Sequence, residues 1–465
     1  MIREKFAKFM GRLSYRLLKL TGHQASTFPG KVMHKIAPDI LGKLAEGRKI
    51  LAVTGTNGKT TTAMMTVDIL RALGYKVASN ASGANLAWGL STCLVNAGDA
   101  DVVVLEVDEA VFAREAAALR PHTVLVTNIF RDQLDRYGEI TNVRDLIGKG
   151  IDTSKPERIV LCADDPLVST LGKAFTPVFF GLDEASAANL PHRHATKRDT
   201  SDMPRPEAPA GGMAEGQCPI CQTTLTYTDK TVAHLGLFRC PECGYARPAV
   251  DEEFAFDTKS RAFTWRDHTI TLPLEGLYNA YNAAAALSAS FAFADPAKRD
   301  VAKAMASLEQ VEARFGRLER IALEDDKSLC FILVKNPAGF EQALTIVDQA
   351  DDLGGILFSL NDHEPDGRDI SWIWDVPFED FPTPEVPIGV SGIRRGDMAL
   401  RLAYWGIDED AVTLDENAAD VTAALVDKMS AGQCLYLLPN YTAMLELREQ
   451  LAKRIGFDTS WTKQQ

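Results

Sequence analysis

Ile50-Leu51-Ala52-Val53-Thr54-Gly55-Thr56-Asn57-Gly58-Lys59-Thr60-Thr61-Thr62-Ala63-Met64-Met65 is the stretch whose reading decides the fold. A short apolar run leads into a glycine-rich turn, and the turn into a helix with apolar spacing. That order puts backbone N–H groups at a helix N-terminus, where they cradle phosphate oxygens. Lys59 has the reach for the terminal phosphates, and the Thr60 hydroxyl suits Mg²⁺. The stretch predicts a nucleotide site on Gly55, Thr56, Asn57, Gly58, Lys59, Thr60 and Thr61; a plain glycine turn is the lesser alternative. The loop is shorter than the general P-loop pattern, since Val53 stands where an earlier glycine is usual.

Outward from this loop, β-rich runs alternate with helical patterns, the signature of a parallel α/β sheet. Strands are expected at Lys49–Thr54, Lys76–Ala78, Val102–Glu106, Thr123–Thr127 and Arg158–Cys162. The run from Asp101 to Asp108 reads as a buried strand ending in acids. Ligands gather at the carboxyl ends of strands in open α/β sheets. Glu106 is therefore the candidate carboxylate for Mg²⁺, directly or through water, with Asp108 nearby.

The segment from His192 to Gly216 is rich in Pro, Ala, Gly and charge, and reads as the boundary of an insertion. Cys218-Pro-Ile-Cys221 follows and, after 18 intervening residues, Cys240-Pro-Glu-Cys243. Two such pairs complete a tetrahedral Cys₄ site for structural Zn²⁺, with no open coordination position. The other four of the eight cysteines, at 93, 162, 330 and 434, are scattered and read as small core residues. Clustered metal ligands instead of disulfides indicate a reducing cytoplasm. Beyond the insertion a hairpin is expected over Phe256–Trp265 and His268–Leu272. An Ala-rich helix then opens with Leu277-Tyr-Asn279-Ala-Tyr-Asn282, whose asparagines are placed to reach a base or the strand ends. A boundary near Val311–Arg320 leads to further strands at Cys330–Val334, Gly355–Ser359, Val386–Val390 and Cys434–Leu438.

The chain has 465 residues, room for two to four domains, and a net charge of −13. That balance argues against a nucleic-acid-binding protein. Between Cys218 and Cys243 the bases Lys230 and Arg239 face Asp229 and Glu242, so the ribbon has no basic, aromatic surface for a strand of nucleic acid. No apolar run approaches a membrane span. At the N-terminus Ile2, Phe6, Phe9, Met10, Leu13, Leu17 and Leu20 share one helical face, with Arg3, Lys5, Lys8, Arg12, Arg16 and Lys19 mostly around the other. Such a helix usually packs on its own domain; peripheral contact with an anionic membrane surface is the alternative.

Several motifs resemble the Mur ligase central domain, in order. They are the short phosphate loop, Thr127-Asn128-Ile129, Asp132-Gln-Leu-Asp-Arg-Tyr-Gly138, Ala163-Asp164-Asp165-Pro166 and Asn279/Asn282. Arg317 resembles the family's domain-boundary arginine, and Asn336-Pro337-Ala338-Gly339 its C-terminal Asn-Pro motif. The resemblance spans most of residues 48 to 340. It implies a P-loop ATPase fold with a parallel sheet, interrupted by the Cys₄ ribbon, and a C-terminal α/β domain. The corresponding divisions are 1–47, 48–312 with the insertion at about 214–248, and 313–465. The implied ligands of the loop, Asn279, Asn282 and Arg317 are ATP and Mg²⁺.

Three departures single out a branch. Too few residues precede the loop for a UDP-sugar domain. Gln133 replaces the family's histidine, and Lys149 is only a loose counterpart of its carbamylated lysine. The ribbon interrupts the central domain. With Asn361-Asp-His-Glu-Pro-Asp366-Gly-Arg-Asp369-Ile-Ser-Trp-Ile-Trp-Asp375, these features are similar to the MurT branch. That resemblance implies an ATP-dependent amidation: the α-carboxyl of D-glutamate in lipid II becomes D-isoglutamine through an acyl phosphate, in peptidoglycan synthesis. Lys59 and Glu106 are then the catalytic residues of the ligase half. The ammonia would come from a GatD-type glutaminase, whose Cys-His pair takes a carboxylate from this chain. Asp366, Asp369 and Asp375 are the candidates, Asp366 the favoured one. A self-sufficient ligase adding an amino acid, and a nucleic-acid-binding NTPase, are the rival readings.

Overall fold

The computed structural model describes residues 2–21, 25–80, 83–131, 140–190, 216–311 and 317–455. Its first sheet begins with β1 (Ile50–Thr54), β2 (Val77–Ser79), β3 (Val102–Glu106), β4 (Thr123–Val126), β5 (Arg158–Cys162) and β6 (Val178–Leu182). These six strands are mutually parallel. Every residue of β1, β3 and β4 is buried. A strand covered by helices on both faces must be apolar throughout, which is why Val102-Val-Val-Leu reads as an unbroken run.

The expected hairpin is part of a three-stranded meander. It consists of β9 (Glu252–Phe256), β10 (Ala262–Trp265) and β11 (His268–Thr271), and follows the ribbon hairpin of β7 (Thr226–Lys230) and β8 (Gly236–Arg239). The meander extends the sheet through β6, to give the order β11-β10-β9-β6-β5-β4-β1-β3-β2. Strand order reverses beside β1, with β3 on one side and β4 on the other. Ligands bind outside the carboxyl ends at such a reversal, where Thr54, Glu106 and Thr127 stand.

The helix Leu277–Phe293 explains its own composition. Ala280, Ala283, Ala284, Ala285, Ala286 and Ala289 are all buried, so small side chains let the helix lie close to sheet and neighbours. It packs on the phosphate-loop helix Lys59–Ala72 and across β4, β5, β6 and β9.

The second sheet has the order β12-β13-β17-β14-β15-β16. Its strands are β12 (Arg317–Ala322), β13 (Ser328–Ile332), β14 (Leu353–Ser359), β15 (Ile388–Ser391), β16 (Val412–Leu414) and β17 (Cys434–Pro439). Only β12 runs antiparallel. Side chains alternate across it with period two. Cys330, Ile332, Phe358 and Tyr436 join one core with Phe340 and Trp405, while Leu329, Phe331, Leu357 and Leu435 join another with Leu425 and Leu447. The short runs β6, β12 and β16 were not among the expected strands, and Ser371–Asp375 forms a 3₁₀ turn.

Candidate active site

Gly55 and Gly58 both take positive φ, 123° and 78°. At Gly58 a Cβ would overlap Asn282 Oδ1, so the loop needs glycine there for conformation and for space. Around the loop, Thr56 N–H donates to the Asn128 carbonyl at 2.8 Å, and Asn57 N–H to Asn128 Oδ1 at 2.8 Å. Thr127 Oγ1 donates to the Asn57 carbonyl at 2.9 Å. The Thr127-Asn128 pair thus shapes the loop from β4. From the opposite side Thr62 Oγ1 donates to Asn282 Oδ1 at 3.1 Å, and Asn282 Nδ2 to Asn279 Oδ1 at 3.2 Å. Of the predicted asparagines, Asn282 meets the loop helix directly and Asn279 braces Asn282 from behind.

Lys59 Nζ donates to the Gly55 carbonyl at 2.5 Å, the Thr56 carbonyl at 3.2 Å and Glu109 Oε1 at 3.2 Å. Sequence reasoning named Asp108 and missed Glu109. Asp108 instead caps the helix Glu109–Leu119, accepting from Ala110 N and Val111 N. The buried Glu109 carboxylate thereby comes onto the lysine. Glu106 is 3% exposed; its Oε1 accepts from Asn85 Nδ2 at 3.1 Å, and its Oε2 has no hydrogen-bond partner. An orphaned carboxylate oxygen buried at a strand end costs free energy unless a cation meets it. With the glycine cradle and the Thr60 hydroxyl, that oxygen fits the donor set for a nucleotide-bound Mg²⁺.

The second sheet also reaches the loop. Asn57 and Asn336 exchange amide hydrogen bonds at 3.2 and 2.9 Å, and Lys335 Nζ donates to the Thr56 carbonyl at 3.2 Å. Asn336 also caps its own helix, Pro337–Asp348. Lys335 had no signal in the sequence. Arg317 opens β12, and its side chain lies outside the described residues, as does the whole run Asp132–Gly138. Lys149 is exposed on the helix Ile140–Ser154.

The four clustered cysteines come together as expected. Their sulfurs all lie within 4.8 Å of one another, with Cys218–Cys243 at 3.6 Å and Cys221–Cys240 at 3.4 Å. A tetrahedral zinc–thiolate site needs sulfurs about 3.8 Å apart. Each pair turns tightly and is followed by a left-handed residue, Gln222 or Gly244. The ribbon docks on the Ala163–Pro166 element: Tyr245 Oη donates to the Pro166 carbonyl at 2.8 Å. Just beyond the ribbon, Arg247 Nε meets Asp164 Oδ1 at 2.6 Å. Asp164 Oδ2 in turn accepts from Tyr281 Oη at 2.5 Å, next to Asn282.

At the carboxyl ends of the second sheet lies the 361–375 run. Asp366 is 9% exposed and accepts from Thr442 N at 2.9 Å and from the Thr442 hydroxyl. Burial pushes its carboxyl above the usual range, against the pull of the Thr442 bonds. Asp369 is exposed and accepts from Ser371 N at 2.8 Å, whereas Asp375 pairs at 2.9 Å with Arg131, in the segment that follows β4. The buried Arg401 holds the run's end through Glu379 at 2.7 Å and the Ile373 carbonyl at 3.2 Å.

Two family models match this chain: the Mur ligase middle domain over residues 53–203, and the MurT ligase C-terminal domain over 333–444. The lipid II isoglutaminyl synthase (glutamine-hydrolyzing) subunit MurT of Streptococcus pneumoniae is 35% identical over 459 residues, 96% of each chain. The chain belongs to the MurT family of Mur ligases. It is accordingly a ligase, with the P-loop fold and C-terminal α/β unit expected from its motifs. The MurT subunit of Staphylococcus aureus is 29% identical over 97% of this chain and 98% of its own. Among solved structures, a pseudomurein peptide ligase type C from Methanothermus fervidus superposes with a TM-score of 0.67 at 19% identity. That match covers 91% of this chain and 84% of the ligase. MurF ligase from Thermotoga maritima, in complex with ADP, gives a TM-score of 0.57 at 15% identity over 90% and 84%. These last two speak for the fold.

Proposed function

We propose that this chain is the synthetase subunit of a lipid II isoglutaminyl synthase. It uses ATP to amidate the α-carboxyl of D-glutamate in the lipid II stem peptide, with ammonia released from glutamine by a GatD-type partner. The observation that carries the reading is a glycine loop with Lys59 held over it, in a chain that is similar to a MurT subunit over 96% of its length. Its cysteines point the same way. Cys93 is half-buried with its thiol pushed up to about 12 by desolvation, Cys162 is buried and likewise raised, and Cys330 and Cys434 are fully buried. The exposed thiols, Cys221 and Cys243, belong to the metal cluster. Glutamine hydrolysis needs an accessible thiolate with a histidine, so the amine source falls to a partner.

In the first step an oxygen of the α-carboxylate attacks the γ-phosphorus of ATP, the bond to the β-phosphate oxygen breaks, and ADP leaves. Ammonia then attacks the acyl carbon, loses a proton and expels inorganic phosphate to leave the amide. Lys59 and the loop N–H groups offset charge on the transferred phosphoryl, and Asn279 and Asn282 hold the loop helix in place. Thr60 and Glu106 would hold Mg²⁺, which shields the phosphate oxygens. The four-cysteine cluster would hold Zn²⁺ as a closed structural site.

For the partner, the reading keeps Asp366 as the carboxylate that orients the glutaminase histidine. Two hydrogen bonds from Thr442 fix its direction before any partner arrives, as an orienting group requires. Divisions at 1–47, 48–312 and 313–465 complete the proposal, with work done in the cytoplasm at the inner membrane face where lipid II is presented. The deciding experiment measures amide formation on lipid II with ATP. Ammonium chloride should suffice for the chain alone, and glutamine only when the GatD-type subunit is added. Incorporation of a free amino acid with no amide under either condition would overturn the reading.

A further inference from the structure

We propose that the N-terminal helix Ile2–Leu20 docks this protein on the surface of an anionic phospholipid bilayer. The sequence left open which way the helix faces. In the structure it packs inward through its smallest residues, with Ala7 buried and Gly11 seated so close on Met33 that a Cβ would overlap the thioether. Its neighbours there are the helices Phe28–Ile36 and Ala87–Asn96.

The apolar stripe therefore points away from the fold. Ile2, Phe6, Phe9, Leu13, Leu17 and Leu20 follow one another at helical spacing, and all are exposed, Ile2 at 86% and Phe9 at 60%. A stripe of that kind is normally the buried side of a surface helix. Beside it runs a second exposed row, Lys5, Arg12, Arg16 and Lys19, in a chain whose net charge is −13. The helix carries a local excess of positive charge, with Glu4 its one acid against six bases. Apolar side chains toward the acyl boundary and cations at headgroup level match a helix lying in the interface plane of anionic lipid. No helix among the described residues is long and apolar enough to cross a membrane, so the contact is peripheral. It draws its purpose from the proposed lipid-linked substrate, while the geometry stands apart from that reading.

The test is co-sedimentation of the full-length chain with phosphatidylcholine vesicles, with and without phosphatidylglycerol. The wild type should bind the anionic vesicles, and raised salt should weaken binding. Lys5→Gln/Arg16→Gln/Lys19→Gln should bind about a hundredfold more weakly, from the loss of three headgroup charges. Phe6→Asp/Phe9→Asp should bind neither vesicle. Both variants should keep the wild-type melting temperature and amidate detergent-dispersed lipid II with ammonium at the wild-type rate. Equal binding to both vesicles, or to neither, overturns the proposal. So does a concentration-dependent dimer that Phe6→Asp/Phe9→Asp abolishes, which would assign the stripe to a second copy. Failure of vesicle binding beside intact amidation counts against the docking alone.

Discussion

Glu106 carries the sharpest tension of any single residue. Its carboxylate is buried at the end of β3 with one oxygen satisfied by Asn85 and the other orphaned. Leaving a buried acceptor without a partner costs about 1–3 kcal/mol. Glu106→Gln should therefore hold or raise the melting temperature measured by calorimetry, while amidation with ammonium falls about a hundredfold and the Mg²⁺ requirement rises. A loss of activity that merely tracks a loss of stability would contradict this. Gly58→Ala should behave oppositely. It forces an L-residue into φ 78° against Asn282, and should lower both ATP affinity and melting temperature, by about 1 kcal/mol or more. For Asp366 the folded carboxyl lies above its unfolded value because of burial, so stability from this group falls as pH rises through that interval. Asp366→Asn should thus melt no lower than wild type at neutral pH, keep ammonium-dependent amidation, and lose glutamine-dependent amidation. If Asp369→Asn shows that split instead, the orienting carboxylate is Asp369.

Elements that announce themselves do so because their chemistry is local. The phosphate loop needs two glycines, a lysine and a threonine within six residues, and the cysteine pairs need a fixed spacing, so both were legible. Glu109, the acid on Lys59, was not among the candidates, since cap and ion-pair partner are neighbours at a strand end and only the helix geometry separates Asp108 from Glu109. Lys335 was invisible because it meets Thr56 across 279 positions of chain. The strand β6 was missed where Gly181 interrupts its apolar run, and β16 because it has three residues. Amphipathic spacing revealed the N-terminal stripe but not its direction, since packing through Ala7 and Gly11 leaves no apolar signal. The ribbon is an element whose hold reaches beyond itself. Val232 and Leu235 enter the main core, and flanking Arg247 shares Asp164 with Tyr281. Cys221→Ser/Cys243→Ser should release stoichiometric zinc, read by elemental analysis, and unfold the ribbon. ATP affinity should weaken by less than about tenfold, because a metal site of this kind folds its own module and only supports its neighbours. Unchanged metal content would remove the zinc assignment.

At the scale of the whole molecule two sheets meet over one loop, and among the described residues several contacts between them can be tested singly. The paired amides of Asn57 and Asn336 close the junction beside the glycine loop, and Arg131 to Asp375 closes it beside the run proposed to meet the partner. The ion pair is partly buried, with the Asp375 side chain 19% exposed, so it is screened less than a surface pair. It ties the stretch leading to Asp132–Gly138 to the end of the 361–375 run. On the proposed reading, ammonia released beside the 361–375 run has to reach an acyl phosphate at the glycine loop, so the registration of the two halves would matter to transfer more than to either half-reaction. Asp375→Arg should leave ATP binding within about twofold yet lower glutamine-dependent amidation about tenfold, since like charges at this distance repel by more than about 1 kcal/mol. Amidation with ammonium supplied from solution should fall less. The exchanged pair, Arg131→Asp with Asp375→Arg, should recover most of the loss, and a double-mutant cycle should return a coupling of about 1–2 kcal/mol. Additive losses in that cycle would mean that the pair is incidental and that the contacts of Asn336 and Lys335 with the loop set the registration.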